Sequence, residues 1–255
     1  MNKLLLTLLL FCCFATVSNA QKIYNTTSGE FVFGFSNAAY NAASETDLPN
    51  NNSNGSITGP MRFTFWFHFG TYWHYDFNNN IGVYTGVSNR NIGFITNEAS
   101  SLNSSGVAET TEKVKWKRRV YSLGAPIVLK VGSFNDDFYF FTGAQMEWLY
   151  HYKEKEFKPG GKRKFSEWFS SRVNTFLPSV FVGVALPHGM SIKFTYTLND
   201  MMNKDYSFID GNNKTIFPYK NMDSRMFYFS IFQMVRWDKS TTTKEIQKHT
   251  KIALL

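Results

Sequence analysis

The chain has 255 residues, with 27 Lys+Arg against 19 Asp+Glu for a formal net charge of +8, and 18% of its residues are aromatic, 26 Phe and 13 Tyr among them. Its two cysteines, Cys12 and Cys13, both fall in the first twenty residues, so the rest of the chain has neither a disulfide scaffold nor a thiolate metal site. The positive excess is modest and spread out, which excludes a nucleic-acid-binding stripe, and aromatics gathered in short stretches between polar ones exclude a helical bundle.

The opening stretch MNKLLLTLLLFCCFATVSNA carries basic Lys3, an apolar run from Leu4 to Val17 and small residues up to Ala20. This is the pattern of a secretory signal peptide, with cleavage expected after Ala20. The run is too short to span a bilayer as a helix, and no later segment has a long apolar run. Three regions follow: a leader over 1–20, a barrel domain over 21–237 and a periplasmic tail over 238–255.

Eight segments read as β-strands by alternation or by apolar runs. In chain order they are Glu30 to Asn37, Met61 to Tyr75, Ile81 to Ser88, Arg118 to Val131, Phe138 to Tyr152, Thr175 to Leu186, Met190 to Asn199 and Arg225 to Trp237. The connections between them alternate in length. A long polar stretch containing NNNSNGSITG follows the first, and the short DFNNN follows the second. NEASSLNSSG lies in a long link after the third, and GSFNDD is the short link after the fourth. A long basic segment, KEKEFKPGGKRKFSEWFSSR, follows the fifth, PHG alone follows the sixth, and Asp200 to Ser224 follows the seventh. Alternating long and short links predict an all-β fold, an eight-stranded antiparallel up-and-down transmembrane β-barrel with long outer loops and both chain ends in the periplasm.

The faces fit that fold. In the seventh segment Met190, Ile192, Phe194, Tyr196 and Leu198 oppose Ser191, Lys193, Thr195, Thr197 and Asn199. In the second, Phe63, Phe65, Phe67 and Phe69 form a row expected to face lipid, and Arg62, Thr64, Trp66 and His68 are expected to fill the lumen. The eighth is less clean, because its outer face of Phe227, Phe229, Ile231 and Val235 includes Gln233. A soluble barrel also alternates, with apolar residues inside instead. The transmembrane reading is favoured because Arg62, Lys130, Glu147 and Lys193 share faces with Gly34, Gly82, Gly86, Gly124, Gly143 and Gly183, as a crowded polar interior requires. Trp73, Tyr75 and Trp237 at one end, with Trp148 and Tyr150 at the other, supply aromatic belts.

The segment RRVYSLGAPIVLKVG, residues 118–132, followed by FYFFTGAQMEWLY, resembles paired central strands of the small outer membrane protein beta-barrel domain family, the porin-like or PorT-like barrels of Bacteroidota. The shared features are an aliphatic-Pro-aliphatic core, Ala125-Pro126-Ile127, and a Gly-containing strand, Thr142-Gly143-Ala144. The resemblance implies an outer-membrane barrel without general catalytic activity. Barrels of this kind usually end at an aromatic residue of the last strand; here Trp237 would fill that place, with the tail added.

Among chemical groups, the lumen charges Arg62, Lys130, Glu147 and Lys193 are costly inside unless paired or wetted, so Glu147 is expected to accept from a basic cluster. The role expected is a structural plug, the alternative a narrow porin-like channel. The basic loop Lys153, Lys155, Lys158, Lys162, Arg163 and Lys164 would meet phosphates of lipopolysaccharide or an acidic surface polymer, although exposed loops are also charged for solubility. Outer-membrane lipid, the barrel-assembly machinery and protein partners of the outer loops or the tail complete the expected partners. A lipid-modifying enzyme would need a base beside a nucleophile near the outer leaflet. His151, with Ser166, Ser170 and Ser171 following, is the candidate place, but nothing marks a triad and no catalytic residue is assigned. No His, Asp and Glu cluster has metal spacing, and no cofactor is expected.

Overall fold

The computed structural model describes residues 22–36, 38–40, 55–56, 59–98, 114–158, 161–209, 211 and 213–236. The leader, Trp237 and the tail lie outside them.

The strands of the main sheet are β1 (Lys22–Ser36), β2 (Arg62–Thr64), β3 (Phe69–Asp76), β4 (Ile81–Glu98), β5 (Val114–Ser133), β6 (Phe138–Lys158), β7 (Gly161–Trp168), β8 (Phe176–Ala185), β9 (Met190–Thr197) and β10 (Met226–Arg236). All pair antiparallel. With β2 and β3 sharing one place, the order β1-β3-β4-β5-β6-β8-β9-β10 returns to β1, so the sheet closes into an eight-stranded barrel. Short turns at 77–80, 134–137 and 186–189 mark one end, the end at which both β1 starts and β10 finishes. The resembling motifs lie side by side, with Ile127 opposite Ala144 and Pro126 opposite Gln145.

The barrel is inverted relative to a soluble one. Its outer surface exposes Phe31, Ile127, Leu129, Phe140, Val182 and Phe194, while Glu30, Arg90, Lys130, Glu147 and Lys193 are buried inside. On β5 the outward row runs from Val131 up to Tyr121. About ten residues at ~3.3 Å each, tilted by roughly 40°, make a band about 25 Å tall, the thickness of a transmembrane barrel's apolar belt. Gln233 does point outward from β10, and its amide donates to the His188 carbonyl in the turn beside it.

Three departures from the sequence pattern matter. First, the strand expected over Met61 to Tyr75 is broken. Opposite β1, Val32 pairs with Thr64 and Gly29 with Phe69, so Glu30 and Phe31 face the four residues Phe65 to His68. Two extra residues are accommodated by a turn in which Phe67 takes φ 67°. An even insertion preserves the phase, so Phe63 and Phe69 both stay outward and His68 inward. Trp66 was expected in the lumen; it is turned outward, 72% exposed, with Phe65 and Phe67 beside it.

Second, strands are longer than their apolar cores: β1 begins at Lys22 and β4 runs on to Glu98. Third, the basic stretch after the fifth segment is no loop. It continues β6 and folds back as β7, so β4 to β7 rise as a wall above the rest of the barrel.

Candidate functional site

The lumen is filled in layers. At the end away from the short turns Met201, Met202, Tyr219 and Met222, from the 198–225 connection, pack with Val173, Leu177, Tyr152 and Met226 into one buried cluster. Asp200 fastens this connection by accepting from the Ser224 backbone N–H at 2.6 Å. Outside it, Arg225 grips Asp223 through two guanidinium contacts of 3.1 and 2.6 Å, which holds the Asp223 carboxyl down to about 2.

Below the cap lies a charged layer. Glu30 contacts Arg90 Nε at 3.1 Å and Lys193 Nζ at 3.0 Å, while Arg90 Nη1 reaches Glu147 Oε1 at 3.1 Å and Tyr228 Oη at 3.2 Å. Gln145 donates to the same Glu147 oxygen at 2.9 Å. The four charges sum to zero, two carboxylates against two cations, which is how a buried interior tolerates them. Next comes an aromatic layer of Tyr72, Tyr84, Tyr139, Phe141, Phe181 and Phe232. At the short-turn end Lys130 pairs with Asp76 at 2.5 Å and donates to Tyr24 Oη at 2.8 Å, over a cavity of about 440 Å³ lined also by His74 and Arg236.

The four lumen charges expected together are therefore distributed over three places. Glu147 and Lys193 share the central layer, bridged by Arg90 and Glu30 rather than by each other. Lys130 is separated from them by the aromatic layer. Arg62 leaves the network altogether: it donates to the Asn91 carbonyl at 3.0 Å and to Asn91 Oδ1 at 2.6 Å. Above the two-residue insertion β2 no longer forms a ladder with β4, and Arg62 fastens that seam with side-chain bonds in place of backbone ones. Arg90 was missed because the third segment was cut at Ser88. The inward series Gly82, Tyr84, Gly86, Ser88 reaches it at the next alternate position.

On the rising wall, alternation sorts charge by face. Lys117, Lys155 and Lys164 lie directly opposite one another across β5, β6 and β7, with Arg119 and Lys153 in the adjoining row and Lys115 and Lys162 flanking Phe157 on the other side. This face continues the lipid-facing surface of the barrel. The acids of these strands are on the inner face, where Glu154 accepts from Arg118 at 3.3 Å and from Tyr152 Oη at 2.6 Å. Arg163, expected with the basic loop, is also there, 2.9 Å from Glu156. Lys158 pairs with Gly161 at the hairpin tip. Lys115, Lys117 and Arg119 join the basic face from a strand whose basic character was not part of the expected site.

Beneath the basic rows is an aromatic one. The His151 ring stacks between Tyr121, with centroids 5.5 Å apart, and Trp168, 4.2 Å apart, and Trp148 stacks on Phe169. His151 Nε2 is 2.9 Å from Ser166 Oγ. Glu154 and Glu156, near in sequence, belong to the opposite face. Ser170 bonds Glu167 instead. Among the described residues no group of three or more His, Cys, Asp and Glu is placed to hold a metal.

No family model and no curated protein matches the chain. Among solved structures it is similar to Ail, the attachment invasion locus protein of Yersinia pestis, at 12% identity over 86% of this chain and 100% of that one, with a TM-score of 0.36. The complex of Ail with the heparin analogue sucrose octasulfate gives 12%, 85%, 99% and 0.35. Neisserial surface protein A gives 11%, 86%, 100% and 0.36. At these values the likenesses assign neither family nor activity.

Proposed function

We propose that this chain is a non-enzymatic barrel of the bacterial outer membrane, with a structural or interaction role at the cell surface. It would be exported by the 1–20 leader, cleaved after Ala20, and inserted by the barrel-assembly machinery. The finer likeness to PorT-like barrels of Bacteroidota belongs to the same proposal, as do protein partners of the outer connections and of the 238–255 tail. The observation that supports it best is the layered filling of the lumen beneath an apolar exterior. A methionine cap, a neutralised charge layer and an aromatic layer lie in series, so a solute would have to displace all three, which argues against a narrow channel.

The test is conductance. The chain, refolded into a planar bilayer and verified by heat-modifiable gel migration, should give no stable openings. Replacing Arg90, Glu30 and Lys193 together by Ala should still give none, because the methionine cap and the aromatic layer remain in series with the emptied charge layer. Stable openings of the unaltered protein would establish the channel reading instead.

The His151–Ser166 contact favours a second reading, ester hydrolysis in outer-leaflet lipid with Ser166 as nucleophile and His151 as base. A triad also requires a third group orienting the imidazole, and the nearby carboxylates of Glu154 and Glu156 are turned to the other face. An envelope lipid profile unchanged by Ser166→Ala would reject this reading.

A further inference from the structure

The charged rows on the rising wall are arranged at a cost. Like charges directly opposite in a ladder destabilise it, with Cβ atoms only ~4.5–5.5 Å apart. Here Lys117, Lys155 and Lys164 stand abreast on three strands, and Arg119 stands opposite Lys153. Burial first, then the surrounding cations, pushes the ammonium groups of Lys117 and Lys155 below the ordinary lysine value. The acids that could relieve them, Glu154 and Glu156, are committed on the opposite face to Arg118 and Arg163.

Position points to what does relieve them. The face is continuous with the lipid-facing surface, and its lower border is the Tyr121–His151–Trp168 row, with Trp148 and Phe169 beside it. Amphipathic rings of this kind sit at the headgroup level of a bilayer. Cations two and four residues higher, about 5 and 10 Å along the barrel axis at ~3.3 Å per residue and a tilt of roughly 40°, on a surface turned toward lipid, are within reach of the headgroup phosphates, whereas a surface for soluble ligands would be turned away from the bilayer. Across three strands the Lys117–Lys155–Lys164 row measures roughly 10 Å, from two spacings of ~4.8 Å, enough to meet a headgroup carrying more than one phosphate.

We propose that the outward face of β5, β6 and β7, centred on Lys117, Lys155 and Lys164 with Arg119 and Lys153, is a binding surface for the phosphomonoesters of an outer-leaflet glycolipid. It rests on the outer-membrane reading of the proposed function, with the short turns and both chain ends on the periplasmic side. Each phosphomonoester brings about −1.5 to −2 charges and three acceptor oxygens, so one lipid neutralises a row that the protein itself leaves positive. The aromatic border would pack against the sugar and the upper acyl chains.

The test uses the full chain without its leader, inserted in phosphatidylcholine nanodiscs doped with lipid A carrying two, one or no phosphates. Bound lipid is counted by native mass spectrometry after release from the disc. The bis-phosphorylated form should be retained about tenfold over the dephosphorylated one, a difference that rising salt erodes. Lys117→Ala/Lys155→Ala/Lys164→Ala should abolish the preference. The triple Lys204→Ala/Lys214→Ala/Lys220→Ala, which removes the same charge from the connection over the barrel mouth, should keep it. Lys155→Gln alone, with less risk to folding, should lower the preference several-fold. Equal retention of all three lipids, or equal loss in the two triple variants, would overturn the proposal. So would displacement of the lipid by an equimolar soluble sulfated oligosaccharide, which would identify a soluble polyanion as the ligand. Heat-modifiable migration of the same samples separates the two readings: an inserted barrel without lipid preference sinks only this proposal, while a chain that never inserts sinks the barrel reading as well.

Discussion

Replacing Arg90 by methionine removes the link between the two carboxylates of the central layer while keeping most of the side-chain volume. Glu30 retains Lys193 at 3.0 Å, but Glu147, fully buried, is left with the Gln145 amide at 2.9 Å as its described partner. Breaking a buried pair from one side leaves an uncompensated charge and costs about 3–5 kcal/mol. With a urea slope of about 2 kcal/mol/M, the unfolding midpoint should fall by roughly 1.5–2.5 M. The assay is urea unfolding of the reconstituted barrel, followed by tryptophan fluorescence and by gel migration without boiling. Adding Glu147→Gln to Arg90→Met removes the orphaned charge, so the double variant should recover at least about half of the loss. A single variant within about 1 kcal/mol of the parent, or a double variant whose losses simply add, would refute the account of this layer as a neutralised, mutually dependent set.

Three further outcomes are expected. Arg62→Met removes two charge-assisted bonds to Asn91 and should cost about 2–4 kcal/mol, with hydrogen exchange accelerated in 62–64 and 89–93 rather than throughout the barrel. Gly86→Ala should cost more than about 2 kcal/mol in the same urea assay, because a Cβ there would overlap the Thr71 carbonyl oxygen of the neighbouring strand. The Asp223–Arg225 contact should be lost only at low pH. Arg225 holds the folded carboxyl at about 2 against an ordinary 3.8, so the contact contributes in full above 3.8 and fades as pH falls through about 2. Protease cleavage near residues 222–225 should therefore rise between pH 4 and pH 2, and Asp223→Asn should remove that step.

The barrel itself was legible because a transmembrane strand repeats a simple signal. Met190 to Thr197 alternates as the eye reads it, and the lengths of the links carry the topology. The broken second strand was not legible. Phe63, Phe65, Phe67 and Phe69 alternate in the sequence whether the ladder continues or skips two residues, and only the partner strand reveals that Glu30 and Phe31 face four residues. Trp66 was misplaced for that reason. The central charge layer was legible in part. Glu147 and Lys193 fall on clean inward positions, while Arg90 lay two residues beyond a boundary drawn where apolar character ends. In a wall rising above the rest of the barrel, strands outlast their apolar residues. The same effect hid β7: KEKEF and KRKF read as charged loop, yet their alternation is what sends Lys153, Lys155, Lys162 and Lys164 to one face and Glu154, Glu156 and Arg163 to the other.

The methionine cap carries a chemical consequence of its own. Met201, Met202, Met222 and Met226 are fully buried or nearly so at the end of the barrel that the proposed orientation turns toward the outside. Thioethers are soft, adaptable filling, and they are also the side chains that peroxide and hypohalous acids convert to polar sulfoxides. With Cys12 and Cys13 confined to the first twenty residues, no thiol elsewhere in the chain would intercept such oxidants first. One sulfoxide among these four places a strong dipole in a buried, apolar layer. An oxidant that reached these thioethers would thus act on this barrel at its lid, loosening the 198–225 connection rather than the charge layer beneath.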